Sequence, residues 1–377
     1  MSTYRKRPAS PHAPLDYIPA EICCAQDYEV LAEHFLEKAR YAYIAGGSGH
    51  DITLQANREA FSRYTIYPRI LADVSKGHTR INLLGQELQH PILLAPVAYQ
   101  TLAHSRGELD SARAAAATDT TMVCSTLSTY PMEEIAALAA QCWFQLYFQP
   151  NREDTLDLVR RAEASGYSAL LVTLDATLQL PSLRARRAGF VMPEHCRAAN
   201  LQKRPTAPQQ RLAQGESAIF QGYLRGAPDW DELAWLQQQT TLPVLVKGVM
   251  HPEDALRLQA MGIAGIVVSN HGGRTLDGVP ASLSCLPAMR AVLGADYPIV
   301  FDSGIRSGSD IFKALALGAN AVLIGRLQMF ALSVAGALGV AHMLRQLREE
   351  LEVCMATAGC ATVEQIQPAM LLDQAGT

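Results

Sequence analysis

GIVVSNHGGRTLDG, residues 265–278, runs four apolar residues straight into a polar cluster. The apolar part has the length of a buried strand, and the chemistry begins where that strand would end. That is where parallel α/β folds keep their functional side chains. His271 supplies a side chain of the type used as a proton acceptor, and three residues on Arg274 supplies a fork for a carboxylate. Gly272 and Gly273 between them remove side chains where a flat ligand would press on the backbone, and they permit angles that other residues resist.

Similar runs recur on both sides of this stretch: ILLAPV (92–97), TMVCST (121–126), CWFQLYF (142–148), ALLVTLD (169–175), PVLVKG (243–248), PIVFDS (298–303) and AVLIGR (321–326). Helix-like segments separate most of them, at 107–117, 132–140, 152–165, 229–239, 252–261, 283–293 and 309–317. Continuous apolar strands alternating with amphipathic helices imply a parallel sheet covered by helices. Eight such units predict an α/β fold of (β/α)8, or TIM, barrel type, with a doubly wound open sheet as the competing architecture. The strand ends favour the barrel. Ser125, Thr126, Gln145, Tyr147, Thr173, Asp175, Lys247, Ser269, His271, Asp302 and Arg326 would spread along the edge of an open sheet, whereas a barrel gathers them on one face.

Ahead of the barrel, residues 1–26 read as a loose tail, followed by a helix over 27–44 that ends at Gly46, Gly47 and Gly49 and brings Tyr41 and Tyr43 to its last turn. A short helix near 56–61 and loops with a small hairpin over 66–88 complete the approach. Residues 177–226, between the fourth and fifth units, lack apolar rhythm and predict a lid over the barrel mouth. Its RARR run, Arg184–Arg187, reads as a solvated face.

The net charge of -4 and the absence of a basic stripe give no reason to expect nucleic acid as a partner. Eight scattered cysteines with no ligand-like spacing predict reduced thiols and no metal site, and hence a cytoplasmic protein. The N-terminal stretch lacks a signal peptide's apolar core, and residues 330–344 read as a packed helix rather than a membrane insertion.

Near the C-terminus, FDSGIRSGSDIFKALALGANAVLIGR (301–326) sets Gly304 and Gly308 before a helix and ends the last strand on Gly325 and Arg326. Glycine-flanked amides, a helix N-terminus and two arginines, Arg306 and Arg326, compose a phosphate pocket, in the place where barrels of this type hold phosphate. Lys247 fits either an aldolase-type Schiff base or a fixed cation beside an electron-accepting ring.

LVKG, SNHGGRTLDGVPAS and DSGIRSGSDIFKALALGANAVLIGR, with NREAFSRY, LLAPVAYQ and FQLYF, together resemble the FMN-dependent α-hydroxy-acid oxidase and dehydrogenase family. The resemblance covers residues 27–366 as a single barrel domain and leaves 367–377 as a C-terminal tail. It implies FMN as cofactor, a small 2-hydroxy acid as substrate, a homotetramer, and oxygen, a quinone or a carrier protein as electron acceptor. It further implies His271 as the base, Asp175 as the carboxylate behind it, Arg274 on the substrate carboxylate, Tyr43 and Tyr147 facing the substrate, and Lys247 beside the flavin. The flavin shell implied is Pro96, Val97, Ala98, Ser125, Gln145, Thr173, Lys247 and Ser269. Asp302, Ser303, Gly304, Arg306, Gly325 and Arg326 are implied at the phosphate.

The chain departs from the family pattern twice. Leu127 in STLST stands where a bulky aromatic is usual. LDATLQLPSLRARR replaces VDTPxxGRRERD, which puts Ser182 in place of a second carboxylate-binding arginine and leaves Arg184 as a candidate substitute. The expected reaction is therefore oxidation of an (S)-2-hydroxy acid, aliphatic or aryl and larger than glycolate, to the 2-oxo acid. The alternatives are a diverged flavoenzyme acting on another carbon acid, such as a modified amino acid or peptide end, and a non-redox aldolase using Lys247.

Overall fold

The computed structural model describes residues 10–202 and 212–374. Eight parallel strands close on themselves: β1 (Ile92–Leu94), β2 (Met122–Ser125), β3 (Cys142–Leu146), β4 (Leu170–Thr173), β5 (Val244–Val249), β6 (Gly265–Val268), β7 (Ile299–Asp302) and β8 (Ala321–Ile324). β8 pairs back onto β1, with Leu323 opposite Leu93, so the sheet has no open edge. Every residue in these strands except Gly248 is buried. Such a strand is covered on both faces, which is why its sequence is continuously apolar rather than alternating. The ring decides between the two architectures in favour of the (β/α)8 barrel.

Around it lie α1 (Gly107–Ala117), α2 (Met132–Ala136), α3 (Arg152–Ala164), α4 (Trp230–Gln237), α5 (Pro252–Ala260), α6 (Ser282–Leu293), α7 (Gly308–Ala316) and α8 (Arg326–Ala358). Local signals fix their starts. The Asn151 side chain accepts the Asp154 amide ahead of α3, and Ser307 with Asp310 forms a reciprocal cap on α7. By length and composition α8 is apolar enough to cross a membrane, but 78% of its most apolar window is buried, as in a core helix, and the chain breaks at Ala335 and Gly336.

Gly308 marks a close approach, because a Cβ there would collide with the backbone of Glu350 and Leu351 in α8. Gly308→Ala must push α7 away from α8 and is expected to destabilise the fold by roughly 1–3 kcal/mol. Chemical denaturation would show it as a lower midpoint with an unchanged slope.

The flanks are better ordered than expected. The predicted helix over 27–44 is two helices, Asp27–Leu31 and Lys38–Ala45, joined through a 3₁₀ turn at Ala32–His34. From residue 10 onward the supposed loose tail is anchored: the Leu15 amide donates to the Val334 carbonyl, and Ile22 and Ala25 are buried. At the other end Leu371–Asp373 pairs antiparallel with Tyr64–Ile66, so part of the expected C-terminal tail belongs to the folded unit. The hairpin predicted before the barrel is Ile81–Leu83 with Gln86–Leu88.

The lid region is likewise anchored between its ends. Asn200 is buried, accepts the Met132 amide at 2.9 Å and donates to Ser128 Oγ at 2.9 Å. Residues 203–211 of that region lie outside the described residues, as do 1–9 and 375–377.

Candidate active site

The strand ends open on a cavity of about 330 Å³, within the range of small-molecule sites. Its wall includes Tyr43, Pro96, Val97, Ala98, Ser125, Tyr147, Lys247, His271 and Arg274, and at one end Asp302, Ser303, Gly304, Arg306, Gly325 and Arg326. The predicted residues that do not line it, Gln145, Thr173, Asp175 and Ser269, stand behind those that do.

His271 occupies a left-handed conformation, φ 58, which is uncommon for a residue with a side chain and characteristic of functional loops. Its amide donates to Ser269 Oγ at 3.0 Å, and its Nδ1 lies 3.0 Å from Asp175 Oδ1. Burial would raise the Asp175 carboxyl, but His271 and then Lys247 outweigh it and hold it below the usual carboxylate range. The pair therefore sets an ionised carboxylate behind Nδ1 and leaves Nε2 as the ring's second nitrogen. Gly248, at φ 99 in an irregularity of β5, makes room for Asp175, since a Cβ there would overlap that side chain.

Lys247 is 3% exposed and donates to Ser269 Oγ at 2.7 Å, with Asp302 Oδ2 at 3.1 Å. Burial by itself would lower the ammonium, yet Asp302 and Asp175 raise it above its ordinary value. A lysine held charged is a poor amine nucleophile, which argues against the aldolase alternative.

Arg274 lies over the Tyr43 ring, 4.8 Å from its centroid, and its Nη1 donates to the carbonyls of Tyr43 and Gly46 at 2.8 and 3.1 Å. Phe190 stacks on the far side of Tyr43, 4.2 Å between centroids. Burial raises the Tyr147 hydroxyl and Asp175 adds to it, so this phenol stays neutral.

Ser182 is the N-cap of the short helix Leu183–Arg187, accepting the Ala185 amide at 3.3 Å. That helix carries Arg184 away from the cavity to Asp51, 2.8 Å from its Oδ2, into a separate cleft with Lys38 and His50. The chamber shared with Tyr43 and Arg274 is lined instead by Arg186 and Gln179.

Several wall residues escaped the sequence reading. Tyr99, Leu102, Gln179 and Met329 line the cavity without motif-like spacing. Asn57 and Asn270 exchange amide hydrogen bonds of 2.9 and 2.8 Å, which tie the His271 loop to the helix Ile52–Glu59. Asp277, within the opening stretch, accepts the His50 and Thr53 amides and so serves the same junction.

A family model described as FMN-dependent dehydrogenase matches residues 32–373. The chain belongs to the FMN-dependent dehydrogenase family. It is 58% identical to an L-lactate oxidase of Alicycliphilus denitrificans over 94% of this chain and 97% of that protein. It is 42% identical to glycolate oxidase 1 of Zea mays over 92% and 94%. Among solved structures, mandelate oxidase with (S)-4-hydroxymandelic acid superimposes with a TM-score of 0.85 at 40% identity, over 93% of this chain and 98% of that one.

Family members use FMN, and this cavity suits it. Gln145 Nε2 and Thr173 Oγ1 are buried without a hydrogen-bond partner among the described residues, as expected of groups waiting for the polar edge of a flavin ring. At the other end Arg326 is partly buried, and desolvation, with Arg274 and Arg306 nearby, pushes its guanidinium down to about 9. Cations crowded in this way call for an anion. Gly325 leaves the N-terminus of α8 without a side-chain cap, an arrangement suited to phosphate.

The arginine side chains are nonetheless engaged by protein. Arg306 donates to Glu29 and to the Ile305 carbonyl, and Arg326 to the carbonyls of Ile44, Gly46 and Gly272. The chain is thus an FMN-dependent oxidoreductase built on the barrel's C-terminal face.

Proposed function

We propose that this protein oxidises (S)-2-hydroxy acids to 2-oxo acids, with L-lactate and its longer aliphatic homologues as substrates and oxygen as electron acceptor. The observation that carries the reading is the His271–Asp175 pair opening on the same cavity as Arg274, Tyr43 and Tyr147. His271 Nε2 takes a proton from the substrate, and the ionised Asp175 stabilises the imidazolium and fixes its orientation. Arg274 and the two tyrosines hold the carboxylate so that the Cα–H points inward.

Lys247, the register partner of Thr173 on the neighbouring strand, would place a fixed positive charge beside the flavin ring. FMN, when bound, supplies the two-electron acceptor. Ser303, Gly304, Arg306, Gly325 and Arg326 would hold its phosphate. Leu127 gives the cavity an apolar wall, which supports acids larger than glycolate. The similarity to L-lactate oxidases supports the oxidase reading.

Anaerobic mixing of the yellow protein with a panel of 2-hydroxy acids tests this. L-Lactate and (S)-2-hydroxybutanoate are expected to bleach the flavin faster than glycolate. A protein bleached by none of them would leave the reading without support and favour a different carbon acid. Oxygen uptake with an active acid, set against reduction of a dye, checks the acceptor.

The second cation near the carboxylate comes from Arg186 rather than Arg184. Arg184→Ala is expected to leave KM unchanged, while Arg186→Ala raises KM several-fold with little change in kcat, the pattern of lost ground-state binding. Steady-state kinetics of the two variants decides between them.

A further inference from the structure

A carboxylate stands among the arginines at the phosphate end of the cavity. Glu29 lies in the helix Asp27–Leu31, ahead of the barrel, whose start is fixed by Asp27 accepting the Cys23 and Cys24 amides at 2.8 and 2.9 Å. Tyr41 donates to the Glu29 carbonyl at 3.2 Å. The Glu29 Oε2 atom accepts from Arg306 Nε at 2.8 Å and from Arg58 Nη1 at 2.9 Å.

Burial would raise this carboxyl, but Arg306, and then Arg58 and Arg326, override it and hold it below the ordinary glutamate range. It is therefore charged, beside a site that must receive a phosphate dianion. Two anions so close repel, and a site selected for phosphate affinity alone would not keep one there. The carboxylate is tolerated because of what it does to Arg306. That side chain has few other anchors: Nη1 donates to the Ile305 carbonyl, and Nη2 donates to no protein acceptor among the described residues. With Nε held by Glu29 and Nη1 by the backbone, the guanidinium plane is fixed and its remaining edge is left for a ligand.

We propose that Glu29 is a positioning residue for the flavin phosphate: it locks the Arg306 fork from outside the barrel and makes the segment before the barrel part of the cofactor site. The inference rests on the FMN reading and is independent of which acid the protein oxidises. It makes the N-terminal helix a contributor to flavin retention, a role that its short length and distance in sequence from the barrel strands do not announce.

The test exploits the sign of the effect. Glu29→Gln keeps the shape of the side chain and removes its charge. If Glu29 positions Arg306, FMN affinity falls by about tenfold, in line with loss of a charge-assisted hydrogen bond, although a negative charge has left the phosphate's neighbourhood. FMN release from the full-length holoenzyme on dilution, followed by recovery of flavin fluorescence, reads this directly. Riboflavin, which lacks the phosphate, is titrated into the flavin-stripped full chain as the second measurement, and its affinity is expected to be unchanged. FMN bound equally well or more tightly by the variant overturns the proposal and makes Glu29 a mere counter-ion. An equal loss for FMN and riboflavin also overturns it, since that would report a general loosening of the barrel mouth.

Discussion

Replacing His271 by glutamine is expected to slow flavin reduction by the substrate roughly 10²–10⁴-fold, the range for removing a positioned general base. Glutamine keeps a polar group of similar reach on the same strained loop, so the Ser269 hydrogen bond to the amide and the Gly272 amide bond to Ser303 Oγ have no reason to change. Because Arg274, Tyr43 and Tyr147 are untouched, an unreactive acid analogue should bind as well as before. Stopped-flow reduction under anaerobic conditions separates the two quantities. A variant reduced at the unaltered rate would remove His271 from the chemistry, and one that no longer binds the analogue would show that the loop itself had collapsed. Asp175→Asn should follow the same direction with a smaller effect, since the imidazole keeps a partner for Nδ1 but loses the charge that stabilises its protonated form.

Lys247→Met has the largest expected effect on stability. The ammonium is buried between Ser269 Oγ and Asp302, and removing one member of such a pair strands the other, at a cost of about 3–5 kcal/mol. The same change removes the positive charge proposed to face the flavin ring, so the protein should both unfold at lower denaturant and reduce its flavin more slowly. The double variant Lys247→Met with Asp302→Asn discriminates the two consequences. It should recover much of the lost stability, because no uncompensated carboxylate remains, while flavin reduction stays slow. Recovery of both would mean that the lysine acts only through the fold, and recovery of neither would mean that Asp302 is needed for some other partner.

Strand positions and the polar cluster at the barrel mouth were legible in the sequence for one reason. A barrel strand is buried on both faces, so it must be a short apolar run, and the first polar residues after it must emerge at the mouth. Lys247, Ser269, His271 and Asp302 are found by that rule alone. The helices α1 to α7 needed only periodicity and caps, and their bounds shift by a few residues at most, as at α2, which ends at Ala136 rather than 140.

What failed to show was whatever depends on pairing between distant segments. The tail residues around Leu15 are polar and proline-rich and carry no periodic signal; they are held by a backbone bond to Val334 that no local pattern encodes. Arg184 and Arg186 are indistinguishable in RARR. Only the helix capped by Ser182 decides that one faces Asp51 and the other the chamber shared with Tyr43 and Arg274, because successive helical positions point about 100° apart.

By itself the sequence determined eight apolar strands whose ends carry an imidazole, a carboxylate, a lysine and several arginines, since burial on both faces dictates where such strands run and where they end. The closed ring then gathered those ends on one face. Tertiary structure alone decided how those groups are partnered. The contact of Glu29 with Arg306, the amide exchange of Asn57 with Asn270 and the clearance that Gly248 leaves for Asp175 each join residues tens to hundreds of positions apart. Hydrogen bonds and steric exclusion act over a few ångströms of space, and distance along the chain does not reveal which groups will share them.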